Sequence, residues 1–426
     1  SGKLKKIYQA AKERFPMTVV GVIAEYNPFH NGHRHQIAQI HARFSDAACV
    51  AVMSGGFTQR GQAAILDKWL RARSAVENGL DLVLELPVVF TVRSAQHFAD
   101  GGVRLLSRLG IVDVLAFGAE LSDGTALLQL AEQSLRPDFA ERLRQGMRQG
   151  LSYAAALENA LDVPPELPAA CLREPNTILA LEYLKALRRF SSPLRPLPLP
   201  REGAGYHNLT LSAEYPSASA IRLNLRQGGA DWTRAVPLAV ALRLKEQQAR
   251  GLPDTEQLFR PILARLLSTR AADLRRLYGM NEGLEHRFIR AARSALSLAD
   301  LRQAVSSKRY PAARIQRMVL SLLLSLSAAD AARFDETGPL YARVLAFNDR
   351  GRKLLRTMRK VATIPLVAKV TDFLSSTDGQ LSPAAKMLAF DTLATDLWGL
   401  SLSPRQAAAL DFTTSPVYLP EGSSQR

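Results

Sequence analysis

Cysteine is nearly absent from this 426-residue chain: Cys49 and Cys171 are the only two. Neither has a partner at metal-ligand spacing, which argues against a disulfide framework or structural zinc and for a reducing compartment. Long apolar runs are equally scarce. The longest, Met318 to Leu326 (MVLSLLLSL), falls well short of the roughly 20 residues that a membrane span requires and reads as a buried helix. The basic opening segment SGKLKKIYQAAKERFP is not followed by an apolar core of signal-peptide length. Secretion is therefore not indicated, and a cytoplasmic location is expected, with no membrane partner. Residues 1–16 are set aside as an N-terminal extension or cloning remnant, Met17 being a plausible native start. No internal repeat stands out.

Acidic residues are also in short supply. Lys and Arg number 55 against 39 Asp and Glu, a net charge of +16, and residues 251–360 alone hold 21 basic against 10 acidic residues. Such a bias points to a polyanion, nucleic acid first, although Arg scattered over solvated helix faces gives the same count. With 47% hydrophobic residues, the chain can bury a large core. Its length implies two or three domains with a cleft between them.

Four short apolar runs, Val19 to Ile23, Ala48 to Met53, Leu80 to Leu86 and Val112 to Phe117, alternate with helical patterns near Gly32 to Ala42, Ala63 to Asn78 and Ala95 to Leu109. This is the pattern of an α/β fold: an open, doubly wound, mostly parallel Rossmann-like sheet. Such sheets bind ligands beyond the carboxyl ends of their strands. The unusual residues sit there: EYNPFHNGH after the first run, SGGFTQRG after the second, ELP after the third and FGAE after the fourth. The Pro-studded PLRPLPLP at 193–200 reads as an edge strand leading into REGAGYH. Beyond SASAIR, at 217–222, nearly everything to about Leu400 reads as helix. The expected division is a catalytic domain at 17–230 and a basic helical domain at 231–426.

His30, Asn31, Gly32 and His33 fall where the first strand hands over to a helix, so backbone N–H groups and the positive end of the helix dipole face the crevice. Gly32 lets a nucleotide approach the backbone, and the two imidazoles can donate hydrogen bonds to phosphate. Transfer at phosphorus needs such positioned donors and no side-chain nucleophile. The plainer alternative is that both histidines only cap and pack a helix start. A metal site built from His30, His33, His35 and His41 is disfavoured because carboxylate partners are sparse. Asn176 in PNTI can hold a base or ribose, but equally reads as an N-cap, and Ser217 reads likewise. Gly118 admits a nucleotide or is a turn glycine. Arg201 suits a phosphate or an ion pair with Glu202. Gln59 and Arg60 can orient a carboxylate or an RNA phosphate.

In this order, EYNPFHNGH, SGGFTQRG, DKW, DLVLELP, FGAE, PNTILALEYLKAL, REGAGYH, SASAIR, SSKRYPAARIQR and ATDLW resemble the tRNA(Met) cytidine acetate ligases. That family lies within the HxGH nucleotidylyltransferase-like superfamily, and the likeness covers Val20 to Trp398. It implies an ATP-dependent ligase that forms acetyl-adenylate and pyrophosphate, then acetylates N4 of the wobble cytidine of elongator tRNA(Met). ATP, with Mg²⁺, is a substrate, and no permanent cofactor is implied. The resemblance places ATP on Ile23, Ala24, Glu25, Tyr26, Asn27, Pro28, Phe29, His30, Asn31, Gly32, His33, Arg34, His35 and Gln36, and on Gly118, Asn176 and Arg201. SASAIR resembles the second superfamily motif, adding Ser217, Ser219 and Arg222. His30, His33 and Arg222 are the expected catalytic residues, Arg222 facing the leaving pyrophosphate. For tRNA, the basic clusters suggest Lys308, Arg309, Arg314 and Arg317, and a second group of Arg352, Lys353 and Arg356. Two other readings stay open: a small-molecule adenylyltransferase, and a non-catalytic RNA-binding protein.

Overall fold

The computed structural model describes residues 17–121, 124–151, 153–163, 172–201, 211, 214–374 and 381–420. The N-terminal extension, Cys171 and the REGAGYH loop beyond Arg201 lie outside them.

Each expected strand forms. β1 (Val19–Ala24) leads to α1 (Asn31–Arg43), β2 (Ala48–Ser54) to α2 (Lys68–Glu77), and β3 (Leu82–Leu86) to α3 (Ala95–Arg108). β4 (Val114–Ala119) is followed, after several helices, by α4 (Pro175–Arg189) and the edge strand β5 (Arg195–Pro200). The five strands are parallel in the order β5-β4-β1-β2-β3. Winding reverses at β1, so a crevice opens between the carboxyl ends of β1 and β4. Asp113 and Asp81 start the ladders by accepting the N–H groups of Val19 and Cys49 at 2.7 and 2.8 Å. Helix α3 packs closely on β1 because a Cβ on Gly102 would stand 2.6 Å from Ile23.

The prolines of β5 are compatible with an edge. Arg195 and Arg201 donate their N–H groups to Asp113 and Ala119 of the β4 side. The odd-numbered positions thus face the ladder, and Pro196, Pro198 and Pro200 fall on even positions, where no donor is needed.

α5 (Ala218–Arg226) opens the second half, which later contributes α6 (Ala312–Leu324). There the structure corrects the expectation of continuous helix. β6 (Ala342–Asn348) lies antiparallel beside β3, and after α7 (Asp349–Val361) come β7 (Leu366–Val367) and, beyond α8 (Pro383–Leu400), β8 (Val417–Leu419), both pairing with β6. The segment ARVLAFN is buried along most of its length, and periodicity alone does not separate a short buried strand from a buried helical turn. The C-terminal segment therefore completes the sheet begun by the N-terminal one. A smaller correction concerns α2, which starts at Lys68 rather than near Ala63, because Asp67 caps it by accepting Leu70 N–H at 2.8 Å.

A buried charge cluster ties the halves together. Lys68 of DKW lies 2.9 Å from Glu85 of DLVLELP and 2.8 Å from Asp411, and Arg343 of β6 pairs with the same two carboxylates. All four side chains are at most 3% exposed. Trp398 of ATDLW donates its indole N–H to Ala64 O at 2.8 Å. These motifs, then, hold the halves of the sheet together.

Candidate active site

The β1–α1 corner is built around two stacked imidazoles, 3.8 Å between ring centroids. His30 is the N-cap of α1: its Nδ1 accepts Gly32 N–H at 3.1 Å, while His33 Nδ1 accepts His30 N–H at 3.2 Å. Histidine here makes a reciprocal capping box of the kind usually built from Ser and Glu. Both Nδ1 atoms are therefore acceptors, and the neutral tautomer places the ring proton on Nε2. Burial, with Arg201 and Arg222 nearby, lowers the His30 pKa to about 3; burial and the neighbouring His30 and Arg201 hold His33 well below the usual range. Each ring is accordingly a neutral Nε2–H donor lining the cleft. Capping and phosphate binding are compatible, because they use different nitrogens.

A pH prediction follows. The unfolded imidazole protonates near 6.5 while folded His30 does not until about 3, so His30 costs stability as pH falls through that window. The ring Cε1–H shifts of His30 and His33 should stay flat from pH 8 to pH 5 by NMR. A midpoint near 6.5 would contradict the tautomer assignment.

Gly32 has a role not visible in the sequence: a Cβ there would lie 2.9 Å from His30 Cε1, so the glycine makes room for the ring. Tyr26, at φ 47°, and Phe29 are buried beside His33. The cleft, about 610 Å³, is lined by Ile23, Ala24, Glu25, Tyr26, Asn27, His30, Gly32, His33, His35 and Gln36 of the expected stretch. Pro28, Phe29, Asn31 and Arg34 do not line it. Phe29 packs inward, Asn31 donates to Arg234 O at 2.7 Å, and Arg34 is exposed on the outer face of α1.

Across the crevice, Gly118 leaves space for Arg201, whose Cγ a Cβ would approach to 3.1 Å. Asn176 is not an N-cap: Glu174 holds that position. The carboxylate of Glu120, from FGAE, accepts from the Asn176 amide and, at 2.8 Å, from Thr177 N–H, and lies 3.8 Å from Arg201. Glu120 thus joins FGAE, PNTI and Arg201, with the sequence offering no hint beyond its place in a motif. At the third wall, Ser217 caps α5 by accepting Ala220 N–H at 3.1 Å. Arg222 donates to Asn27 O at 2.6 Å and to Ser219 Oγ at 3.2 Å. Ser217, Ser219 and Arg222 all line the cleft.

Beneath the site lies Arg71, fully buried, donating to Glu25 O, Leu66 O, Ser54 O and Gly55 O. It holds the loops after β1 and β2 together, and burial lowers its pKa to about 10. Nothing in the sequence marks this helical arginine. Arg71→Leu, which strands those carbonyls, should lower stability by roughly 3 kcal/mol or more in chemical unfolding. A midpoint matching the parent's would remove that role.

The two basic clusters separate. Helix α6 brings Ala313 and Arg317 to the cleft itself. Arg314 covers the Tyr310 ring at 4.5 Å, and Lys308 and Arg309 are exposed, Arg309 pairing with Glu282 at 2.6 Å. Arg352, Lys353 and Arg356 are exposed on α7. That helix starts where Asn348 meets Asp81 and Arg350 meets Asp46, and ends where Val361 abuts Gly110. These contacts mark the amino ends of β2, β3 and β4, so the second cluster lies at the end of the sheet opposite the cleft. The two do not form one continuous stripe.

A strand, HNGH and helix at the switch point of a doubly wound sheet define a nucleotidyl transferase, and the HIGH Nucleotidyl Transferase family model matches residues 17–411. The tRNA(Met) cytidine acetate ligase of Syntrophomonas wolfei is 37% identical over 418 residues, covering 94% of this chain and 99% of that protein. That of Halothermothrix orenii is 36% identical over 401 residues, covering 90% and 95%. The chain belongs to the tRNA(Met) cytidine acetate ligase family. Among solved structures, Thermotoga maritima TmcAL bound with alpha-thio ATP superposes with a TM-score of 0.85 at 29% identity, covering 95% of this chain and all of that one. Among the described residues no helix is long and apolar enough to cross a membrane.

Proposed function

We propose that the protein condenses acetate with ATP to acetyl-adenylate, releasing pyrophosphate, and passes the acetyl group to N4 of the wobble cytidine of elongator tRNA(Met). The observation that carries this is the pair of neutral Nε2–H donors at a helix N-terminus on the switch point. An acetate oxygen attacks the α-phosphorus, and the P–O bond to pyrophosphate breaks. His30 and His33 hold oxygens on which negative charge gathers, and Arg222, anchored to Asn27 and Ser219, faces the departing pyrophosphate. Asn176, Gly118 and Arg201 hold the nucleoside side. Phe98, Ile178, Leu179 and Tyr183 give the cleft an apolar wall that limits the access of water to the mixed anhydride.

Mg²⁺ enters with the nucleotide. Glu25 is the single carboxylate among the described lining residues, which does not make a protein-built cage and fits an ion carried mainly by phosphate oxygens. When bound, it neutralises triphosphate charge.

Arg317 at the cleft, with Lys308, Arg309 and Arg314 beside it, receives the phosphates flanking the reactive nucleotide. Arg352, Lys353 and Arg356 meet a more distant part of the same RNA. Replacing Arg314 and Arg317 together by Ala should weaken tRNA binding and reduce the log–log salt slope by roughly 1 to 2. An unchanged slope in filter binding would move the RNA surface elsewhere. Acetate-dependent ATP–pyrophosphate exchange tests the first half-reaction, and its absence from the purified protein would refute it.

A further inference from the structure

We infer that Glu25 is the group that takes the proton from the cytidine amine during acetyl transfer; the inference rests on the two-step reading above. When N4 attacks the acetyl carbon, a C–N bond forms, the bond from that carbon to the AMP oxygen breaks, and AMP leaves with the electron pair. The amine must then shed one proton, and AMP does not need it.

Among the described residues, few groups in the cleft can accept that proton. His30 and His33 commit Nδ1 to backbone N–H groups and carry their proton on Nε2. His35 is engaged at both nitrogens, with Gln39 at 2.6 Å and the Tyr215 hydroxyl at 3.4 Å. Arginines, permanently protonated, supply the cleft's cations, and no lysine lines it among the described residues. Burial pushes the hydroxyl pKa values of Tyr26 and Tyr183 upward, keeping them protonated, and the Tyr153 hydroxyl donates its proton to Glu182 at 3.1 Å. Glu25 remains, the only carboxylate among those lining residues.

Its setting suits the task. Glu25 Oε1 accepts Gln59 N–H at 2.6 Å, while Arg71 clamps its carbonyl, so the carboxylate is held in place between the β1 and β2 loops. Gln59 is fixed in turn to Arg93 O at 2.6 Å. The second carboxylate oxygen is the atom offered to the acceptor, in the cleft that Arg60 and Arg317, the cations expected to hold RNA phosphate, also line.

The test separates the two half-reactions. Preformed acetyl-adenylate is mixed with enzyme and tRNA in a single turnover, and acetate-dependent pyrophosphate exchange is measured on the same preparation. Glu25→Gln keeps an oxygen for Gln59 N–H, so the fold should persist. Transfer should fall by about 10²-fold or more beyond any fall in exchange, in the range of a lost general base. Glu25→Asp, which keeps a carboxylate, should recover part of the loss. Equal falls in both half-reactions, or a greater Mg²⁺ requirement as the only change, would make Glu25 a nucleotide or metal contact and overturn the inference. Transfer at the parent rate in Glu25→Gln would also overturn it. Failure of the unaltered protein to acetylate tRNA would overturn the two-step reading itself.

Discussion

Replacing His33 by Asn is expected to lower acetate-dependent ATP–pyrophosphate exchange by roughly 10²–10³-fold, the loss that follows removal of one preorganised donor to developing charge. The choice of Asn isolates the cause. Its Oδ1 stands where Nδ1 stands in histidine and still accepts His30 N–H, now accepted at 3.2 Å, so the capping box survives. What disappears is the Nε2–H donor. His33→Gln reverses the trade: its amide reaches the Nε2 position, but the cap is lost, costing about 1 kcal/mol. Asn should thus yield a stable, inactive protein and Gln a less stable one that retains much more activity. If the two behaved alike in exchange, the corner would serve only to start the helix.

The second large effect is on stability. Lys68→Met should destabilise the protein by about 3–5 kcal/mol, because it leaves two buried carboxylates, Glu85 and Asp411, sharing Arg343 alone. The site would feel the change, since Gly55 of the post-β2 loop lies against the Glu85 carboxylate, where a Cβ would collide. Lys68→Met combined with Glu85→Leu removes one charge of each sign and should recover much of the loss, as apolar replacements of buried pairs often do. Urea midpoints of the three variants decide it. Additive losses would mean that the four charges do not act as a unit.

The site was more legible in the sequence than the frame that supports it. β1 to β4 announce themselves because strands buried on both faces read as unbroken apolar runs, and post-strand loops collect the polar residues of an α/β site. His30, His33, Arg201 and Arg222 converge on one cleft for that reason. β6 is hidden, since seven mostly buried residues in a helical stretch carry no period of their own. Lys68, Glu85 and Arg71 also escaped a structural reading: a charged residue in a sequence suggests solvent or chemistry, and only packing shows a carboxylate or carbonyl waiting for it. Charge counting found both basic clusters, but composition has no direction, and topology was needed to place Arg352, Lys353 and Arg356 at the far end of the sheet. In the sequence Gly32 reads as an opening for nucleotide and Gly118 as such an opening or a turn glycine, whereas in the fold they also admit the His30 ring and the Arg201 side chain.

The central claim, acetate activation followed by transfer to cytidine, is tested most directly by incubating the protein with ATP, labelled acetate and total bacterial tRNA, then digesting the RNA for nucleoside mass spectrometry. The account predicts labelled N4-acetylcytidine, dependent on ATP and accompanied by AMP and pyrophosphate. Unlabelled cytidine throughout, with no acetate-dependent release of pyrophosphate, would contradict it.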